Sequence, residues 1–273
     1  MSKKILGIGN AIVDVFVKVD DIFLSKNKLV KGSMKLIEKN EFESLKNSIK
    51  IEKINVNFSY VEKDENLPTG ASIIFITPDS ERTMCTYLGI SSQLSKDDID
   101  EKNIKDYEIV FLEGYLWDKG MSEQMFKHVI NLAKKNNVKI AMSLSDIFCV
   151  SRHRDDFFKL LINDLNILIG NENEINELMQ KNNLLDSIQE LKKINKLIVI
   201  TRSENGSLAI LNNEITNCES VKIEKILDLT GAGDLFASGF FKEYLDKSDI
   251  KKCLQTGSTL AAKVIQKIGA RLN

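Results

Sequence analysis

The residues best suited to chemistry lie between positions 228 and 234, which read Asp-Leu-Thr-Gly-Ala-Gly-Asp. An apolar helical pattern follows over 232–245. Gly231 and Gly233 let the backbone come close to a ligand and adopt conformations closed to other residues. The N–H groups of Gly231, Ala232 and Gly233 point outward at a helix start, where no intrahelical acceptor serves them and the helix dipole stands behind them. Such a turn is an anion site, and a phosphate fits it. Asp234 is surplus to that site, because a carboxylate beside a bound phosphate is repulsive unless it has work to do. Phosphoryl transfer needs a base near the attacking hydroxyl and donors where charge develops, and one short turn supplies both. A plainer alternative fits the same residues: Asp234 caps a helix and the glycines make a tight turn. The spacing matches neither GxGxxG nor the P-loop pattern.

Three further segments carry polar groups at strand ends. Asn171-Glu172-Asn173-Glu174 follows the apolar run 167–169. Asn171 and Glu174 offer hard oxygens of the kind that hold Mg²⁺ with its waters. The alternative is a polar helix start whose acids complement the dipole. Thr201-Arg202-Ser203-Glu204-Asn205-Gly206 ends the run 197–201, and its Asn-Gly pair is also a strong turn signal. At the front, Gly7-Ile8-Gly9-Asn10-Ala11-Ile12-Val13-Asp14 sets an acid between valines just past a glycine turn, facing either a cleft or solvent.

Together these segments resemble, in chain order, the ribokinase/PfkB carbohydrate-kinase family, with features of its adenosine-kinase-like branch. The resemblance implies a catalytic base at Asp234 and an anion hole from the backbone of Gly231, Ala232 and Gly233. Asp228 and Thr230 lie where many members bind a monovalent cation such as K⁺. Asn171 and Glu174 match the family's Asn-x-x-Glu motif, which organises Mg²⁺ and its waters around the nucleotide phosphates. Thr201, Ser203 and Gly206 match its nucleotide loop, with Ser203 where glycine is usual. Asp14 falls where an aspartate accepts hydrogen bonds from sugar hydroxyls. Asn10 is reminiscent of the adenosine-kinase branch, as is the stretch 145–154 with Arg152-His153-Arg154. Lys267-Ile268-Gly269-Ala270-Arg271 is similar to the family's close around the cation and adenine. Arg82 would reach over the transferred phosphate when a lid closes, or else is a solvated strand charge.

One family feature has no counterpart. A Gly-Gly motif that lines the sugar site is missing, for the chain has no Gly-Gly pair. Either residues near 50–58 are absent from this sequence or the unit has been lost. An intact mass at 30.9 kDa would establish the loss.

These groups need a scaffold. Apolar runs at 4–8, 108–112, 139–144, 167–169 and 197–201 alternate with helical patterns at 121–136, 154–162, 172–180, 232–245 and 250–268. Alternation of that kind predicts a mostly parallel sheet covered on both faces. Strand 207–211 follows the nucleotide loop. Earlier segments at 13–19, 33–37, 56–61, 70–77 and 82–87, with a helix at 41–49, suit a smaller sheet with one wet face. Pro78-Asp79-Ser80-Glu81 predicts a hairpin over 70–88. The expected architecture is a ribokinase-like α/β fold: a three-layer body with a small β-sheet lid, in a single domain spanning 1–273. The lid takes roughly 13–37 and 56–88, and the body takes 1–12 and 89–273.

Composition narrows the partners. With 38 basic and 39 acidic residues spread along 273, no basic block marks a nucleic-acid footprint. No stretch approaches the ~18 apolar residues of a membrane helix, and no signal peptide is evident at the front. The cysteines Cys85, Cys149, Cys218 and Cys253 form no CxxC pair and suit buried thiols of a cytoplasmic protein. The expectation is therefore a cytoplasmic ATP- and Mg²⁺-dependent kinase, with K⁺ as a further cofactor. It would act on a hydroxymethyl group of a small sugar or nucleoside, adenosine narrowly favoured, as a monomer or a homodimer through the lid. The alternative is a nucleotide- or nucleoside-binding protein on a catalytically impaired kinase scaffold.

Overall fold

A computed structural model describes residues 4–10, 12–49, 68–99, 101–118 and 122–272. The chain divides into two compact units, 1–9 with 95–273, and 10–94.

In chain order, β1 (Ile5–Ile8) belongs to the larger unit. The smaller unit follows with β2 (Ile12–Lys18), α1 (Asp21–Lys26), β3 (Met34–Leu36), α2 (Lys39–Ser48), β4 (Thr69–Ile76) and β5 (Arg82–Gly89). The larger unit resumes with α3 (Glu101–Ile104), β6 (Ile109–Glu113), α4 (Ser122–Lys135), β7 (Lys139–Ser143), α5 (Ile147–Asn163) and β8 (Ile167–Asn171). It continues with α6 (Glu172–Met179), α7 (Leu184–Leu191), β9 (Leu197–Thr201), β10 (Ser207–Leu211), β11 (Glu214–Cys218), α8 (Ala232–Leu245) and α9 (Ile250–Val264).

The larger unit holds a seven-stranded sheet ordered β1-β6-β7-β8-β9-β10-β11. The pairs from β1 to β9 are parallel, while β10 is antiparallel to both β9 and β11. Its inner parallel strands β6 to β9 are apolar and buried along most of their length because both faces are covered, with polar residues at their ends. One face packs Ile167, Ile169, Leu197 and Val199 against Phe236, Phe240 and Phe241 of α8 and against Cys253 and Leu254 of α9. Each fully buried aromatic of α8 contributes about 1.5–3 kcal/mol of apolar transfer. That burial anchors the helix whose first turn carries Asp234.

The smaller unit holds a four-stranded sheet ordered β2-β4-β5-β3. β4 and β5 form the expected antiparallel hairpin. Ile73, Phe75 and Cys85 pack against Leu24, Leu45 and Ile49 of the flanking helices and their ends. The face expected to be wet is mixed: exposed along β2 at Asp14 and Lys18, buried at the middle of β4. Ser72 and Ile74 alternate to the opposite side of β4, and both are 0% exposed. Ser72 and Thr86 share a hydroxyl–hydroxyl bond of 2.8 Å there. Phe16, Ile74 and Met84 make the middle of that face apolar, between the charged Asp14 and Lys18.

Two expected helix boundaries shift. α5 begins at Ile147 because Asp146 caps it, accepting from Phe148 N–H (2.8 Å) and Cys149 N–H (3.1 Å). His153, with φ −122° and ψ 19°, kinks it and breaks the helical spacing. α9 stops at Val264 rather than 268, and α1, α7 and β11 were not anticipated. The expected strand 56–61 and the Gly-Gly position near 50–58 lie outside the described residues. Among the described residues, no helix is long and apolar enough to cross a membrane.

Candidate active site

The turn before α8 is built around a buried carboxylate. Asp228 is 0% exposed. Its Oδ1 accepts from the Thr230 backbone N–H (2.9 Å) and hydroxyl (2.7 Å), and its Oδ2 accepts from the Gly269 N–H (2.8 Å). Leu227 N–H also donates to Ile265 O at 2.8 Å. Segment 265–270 therefore buttresses the turn from behind. Gly231 caps α8 with φ +79°, and a Cβ there would lie 2.7 Å from the Ala270 Cβ. Both facts demand glycine.

The first helical turn then presents the chemistry. Ala232, Gly233 and Asp234 occupy its first three positions, whose N–H groups have no intrahelical acceptor. The Leu235 N–H closes the turn onto Gly231 O at 2.9 Å. Gly233 is exposed, with nothing within 4 Å of where a Cβ would stand, and Asp234 is exposed beside it. Ala232 departs from the expected open donor, since its N–H reaches back to Leu229 O at 3.3 Å. The long distance makes this a weak bond that an anion can outcompete.

Asn171 ends β8 and caps α6 in a reciprocal box. Its Oδ1 accepts from Glu174 N–H at 2.9 Å, while its own N–H and Nδ2 donate to Glu174 Oε2 and Oε1 at 2.9 and 2.6 Å. Glu174 is 6% exposed. Both carboxylate oxygens being engaged, the pair suits Mg²⁺ held through water rather than by direct ligation. Among the described residues no group of three or more His, Cys, Asp or Glu side chains forms a metal cage. Mg²⁺ does not need one, as it keeps several waters.

Thr201 ends β9 in register with Asn171 on one side and Ser207 on the other. Ser203 adopts φ +49°, the backbone conformation that favours glycine. Gly206 N–H donates to Ser203 O at 3.1 Å, and Arg202 N–H donates to Gly206 O at 2.8 Å. β9 and β11 run the same way, both antiparallel to β10. The chain therefore leaves β11 at the sheet edge where β8 and β9 end. A Cβ at Gly206 would meet Cys218 O at 2.1 Å, which fixes loop 202–206 against that exit.

Asn10 and Asp14 lie in the smaller unit. Asp14 is exposed on β2, in register with Ser72. Arg82 opens β5 opposite Ile76.

Two residues escaped the sequence reading. Glu113 ends β6, and its Oε2 lies 2.7 Å from where a Gly9 Cβ would stand. An acid closing an otherwise apolar strand was the available signal. Asp118, whose side chain is 2% exposed, accepts from Arg152 Nε (2.8 Å) and Nη2 (2.7 Å) and lies 2.9 Å from His153 Nε2. It ties the segment after β6 to the kink of α5. Burial pushes the Asp146 carboxyl up, as it does the Cys149 thiol beside it.

The family model described as pfkB family carbohydrate kinase matches residues 43–273. Adenosine kinase from Sinorhizobium meliloti superposes with a TM-score of 0.93 at 29% identity, over 100% of this chain and 96% of that one. A probable sugar kinase from Rhizobium etli gives 0.93 at 28% identity, over 98% and 94%. Adenosine kinase from Dictyostelium discoideum is 26% identical over 228 residues, which span 76% of this chain and 65% of that protein.

Proposed function

The chain belongs to the pfkB family of carbohydrate kinases, and from that premise we propose that it transfers the γ-phosphoryl group of ATP to a hydroxymethyl group of a sugar or nucleoside. The observation that carries this reading is the first turn of α8. It exposes a carboxylate, Asp234, beside helix N–H donors, on a turn locked by Gly231 and buried Asp228.

In this reading Asp234 takes the proton of the acceptor hydroxyl as its oxygen bonds to phosphorus. The bond from phosphorus to the bridging oxygen of ADP breaks, so the products are the phosphate ester, ADP and a proton. The N–H groups of Gly231, Ala232 and Gly233 stabilise charge on the phosphoryl oxygens. Thr201, Ser203 and Gly206 hold the nucleotide at the ends of β9 and β10. Asn171 and Glu174 would hold Mg²⁺ through water, and the ion would supply charge neutralisation between phosphate oxygens. Asp228 and Thr230 would flank a K⁺ site. Asn10 and Asp14 would bind the acceptor. The smaller unit would act as a lid that excludes water.

An adenosine-like acceptor is favoured over ribose or fructose, supported by Asn10 and by similarity to two adenosine kinases. The missing Gly-Gly pair favours a second reading, a binder on an impaired scaffold. A panel of adenosine, ribose, fructose and related alcohols, incubated with ATP and Mg²⁺, tests the proposal. The expected result is ADP with a phosphorylated acceptor. Affinity for nucleotide without product from any acceptor would support the binder.

A further inference from the structure

We propose that Arg202 is a donor-binding residue whose guanidinium takes an oxyanion of the phosphoryl donor. This rests on the kinase reading above. Asn171 and Thr201 are register partners at the carboxyl ends of adjacent parallel strands. Glu172 and Arg202 each follow them by one residue. Open α/β sheets bind ligands outside those strand ends.

The pairing of the two side chains is loose. Arg202 Nε lies 3.9 Å from Glu172 Oε2, beyond hydrogen-bond reach. Nε is nevertheless shielded from solvent and makes no hydrogen bond. A buried donor left unsatisfied is costly, and a native fold that keeps one needs a reason, such as a partner from outside the chain. The loop holds Arg202 ready for one. Its backbone N–H donates to Gly206 O (2.8 Å), and its carbonyl accepts from Asn205 N–H (2.9 Å).

The chemistry of that partner follows from the fork. A guanidinium matches two oxygens of a phosphate in one plane, with charge assistance. Glu172 then has a definite role. Its carboxylate attracts the guanidinium while the site is vacant and repels the phosphate that replaces it. A phosphate contact and an internal strut therefore predict opposite behaviour for Glu172.

Equilibrium binding of ATP, ADP and adenosine to the full chain decides the matter, with Arg202→Ala, Arg202→Lys and Glu172→Gln beside the wild type. Arg202→Ala is expected to weaken ATP and ADP by about tenfold or more and to leave adenosine unchanged. In turnover, the KM for ATP rises while the KM for the acceptor stays. Should Arg202→Ala fold poorly, Arg202→Lys keeps stem and charge but loses the fork, and still shows a several-fold loss. Glu172→Gln is expected to bind ATP at least as tightly as the wild type. Equal weakening by Arg202→Ala and Glu172→Gln would mark a strut and overturn the assignment. Wild-type ATP affinity in a folded Arg202→Ala chain overturns it as well, while leaving the kinase reading intact. A wild-type chain that does not bind ATP overturns both.

Discussion

The Asp228 carboxylate accepts a hydrogen bond from the Gly269 backbone N–H at 2.8 Å, joining the glycine-acid turn to a segment 41 residues later. The turn is thus held from two sides, locally by Thr230 and remotely by Gly269. Asp228→Ala would strand three donors, two of them at buried Thr230 and one at half-buried Gly269. A loss of about 3 kcal/mol in urea unfolding is expected, with a fall in kcat. Asp228→Asn, which keeps one acceptor oxygen for Thr230, should lose less. Wild-type stability in the alanine variant would remove the carboxylate from its supporting role.

The two glycines of the turn should separate by readout. Gly231→Ala places a methyl against Ala270 at φ +79° and should destabilise the fold by at least about 1 kcal/mol. Gly233→Ala meets open space, so its thermal midpoint should stay within a degree or two of the wild type. Under the proposed kinase reading its KM for ATP should rise several-fold, because the methyl would stand where that reading brings the phosphoryl group. Unchanged kinetics in Gly233→Ala would argue that the phosphate binds elsewhere.

Asp234→Asn keeps size and hydrogen-bonding capacity but cannot take a proton. A fall in kcat of about 10²–10⁴ is expected, with little change in ATP affinity. Because Asp234 is exposed, the unfolding midpoint should be nearly unaffected. An asparagine variant with wild-type turnover would falsify the base assignment.

Glu243 gives the fold a pH dependence apart from the chemistry. Hydrogen bonds from Ser248, Lys242 and Lys252 hold its carboxyl down to about 2. In the unfolded chain it titrates near the ordinary ~4.3. The stabilisation is therefore complete above that value. As pH falls, the unfolded chain binds a proton there that the folded chain refuses, and the stabilisation is lost progressively down to about 2. Urea unfolding of wild type and Glu243→Gln should show a gap at pH 7 that narrows by pH 3.5. A gap independent of pH would mean that the charge contributes nothing.

The legible parts of this chain are those whose partners are near in sequence. Apolar runs separated by helical spacing marked the strands β6 to β10. The Asn171–Glu174 motif was readable as a helix start because a capping box closes over three residues. The hairpin β4–β5 was readable from its turn residues. By contrast, α1 and α7 are six and eight residues long, too short for a clear period. β11 alternates polar residues along a sheet edge, so it carries little apolar signal.

The site divides in the same way. Sequence by itself determined that residues 228–234 make a glycine turn into a helix with an acid in its first turn. Capping, left-handed glycine and dipole effects act within a few residues, so residue type and spacing suffice to specify them. Only the tertiary structure decided that Asp228 is buried against Gly269, that Gly231 meets Ala270, and that Glu172 stands beside Arg202. Those relationships depend on which strands are neighbours and on where the chain returns to the sheet. Long-range packing settles both, and no local pattern encodes it.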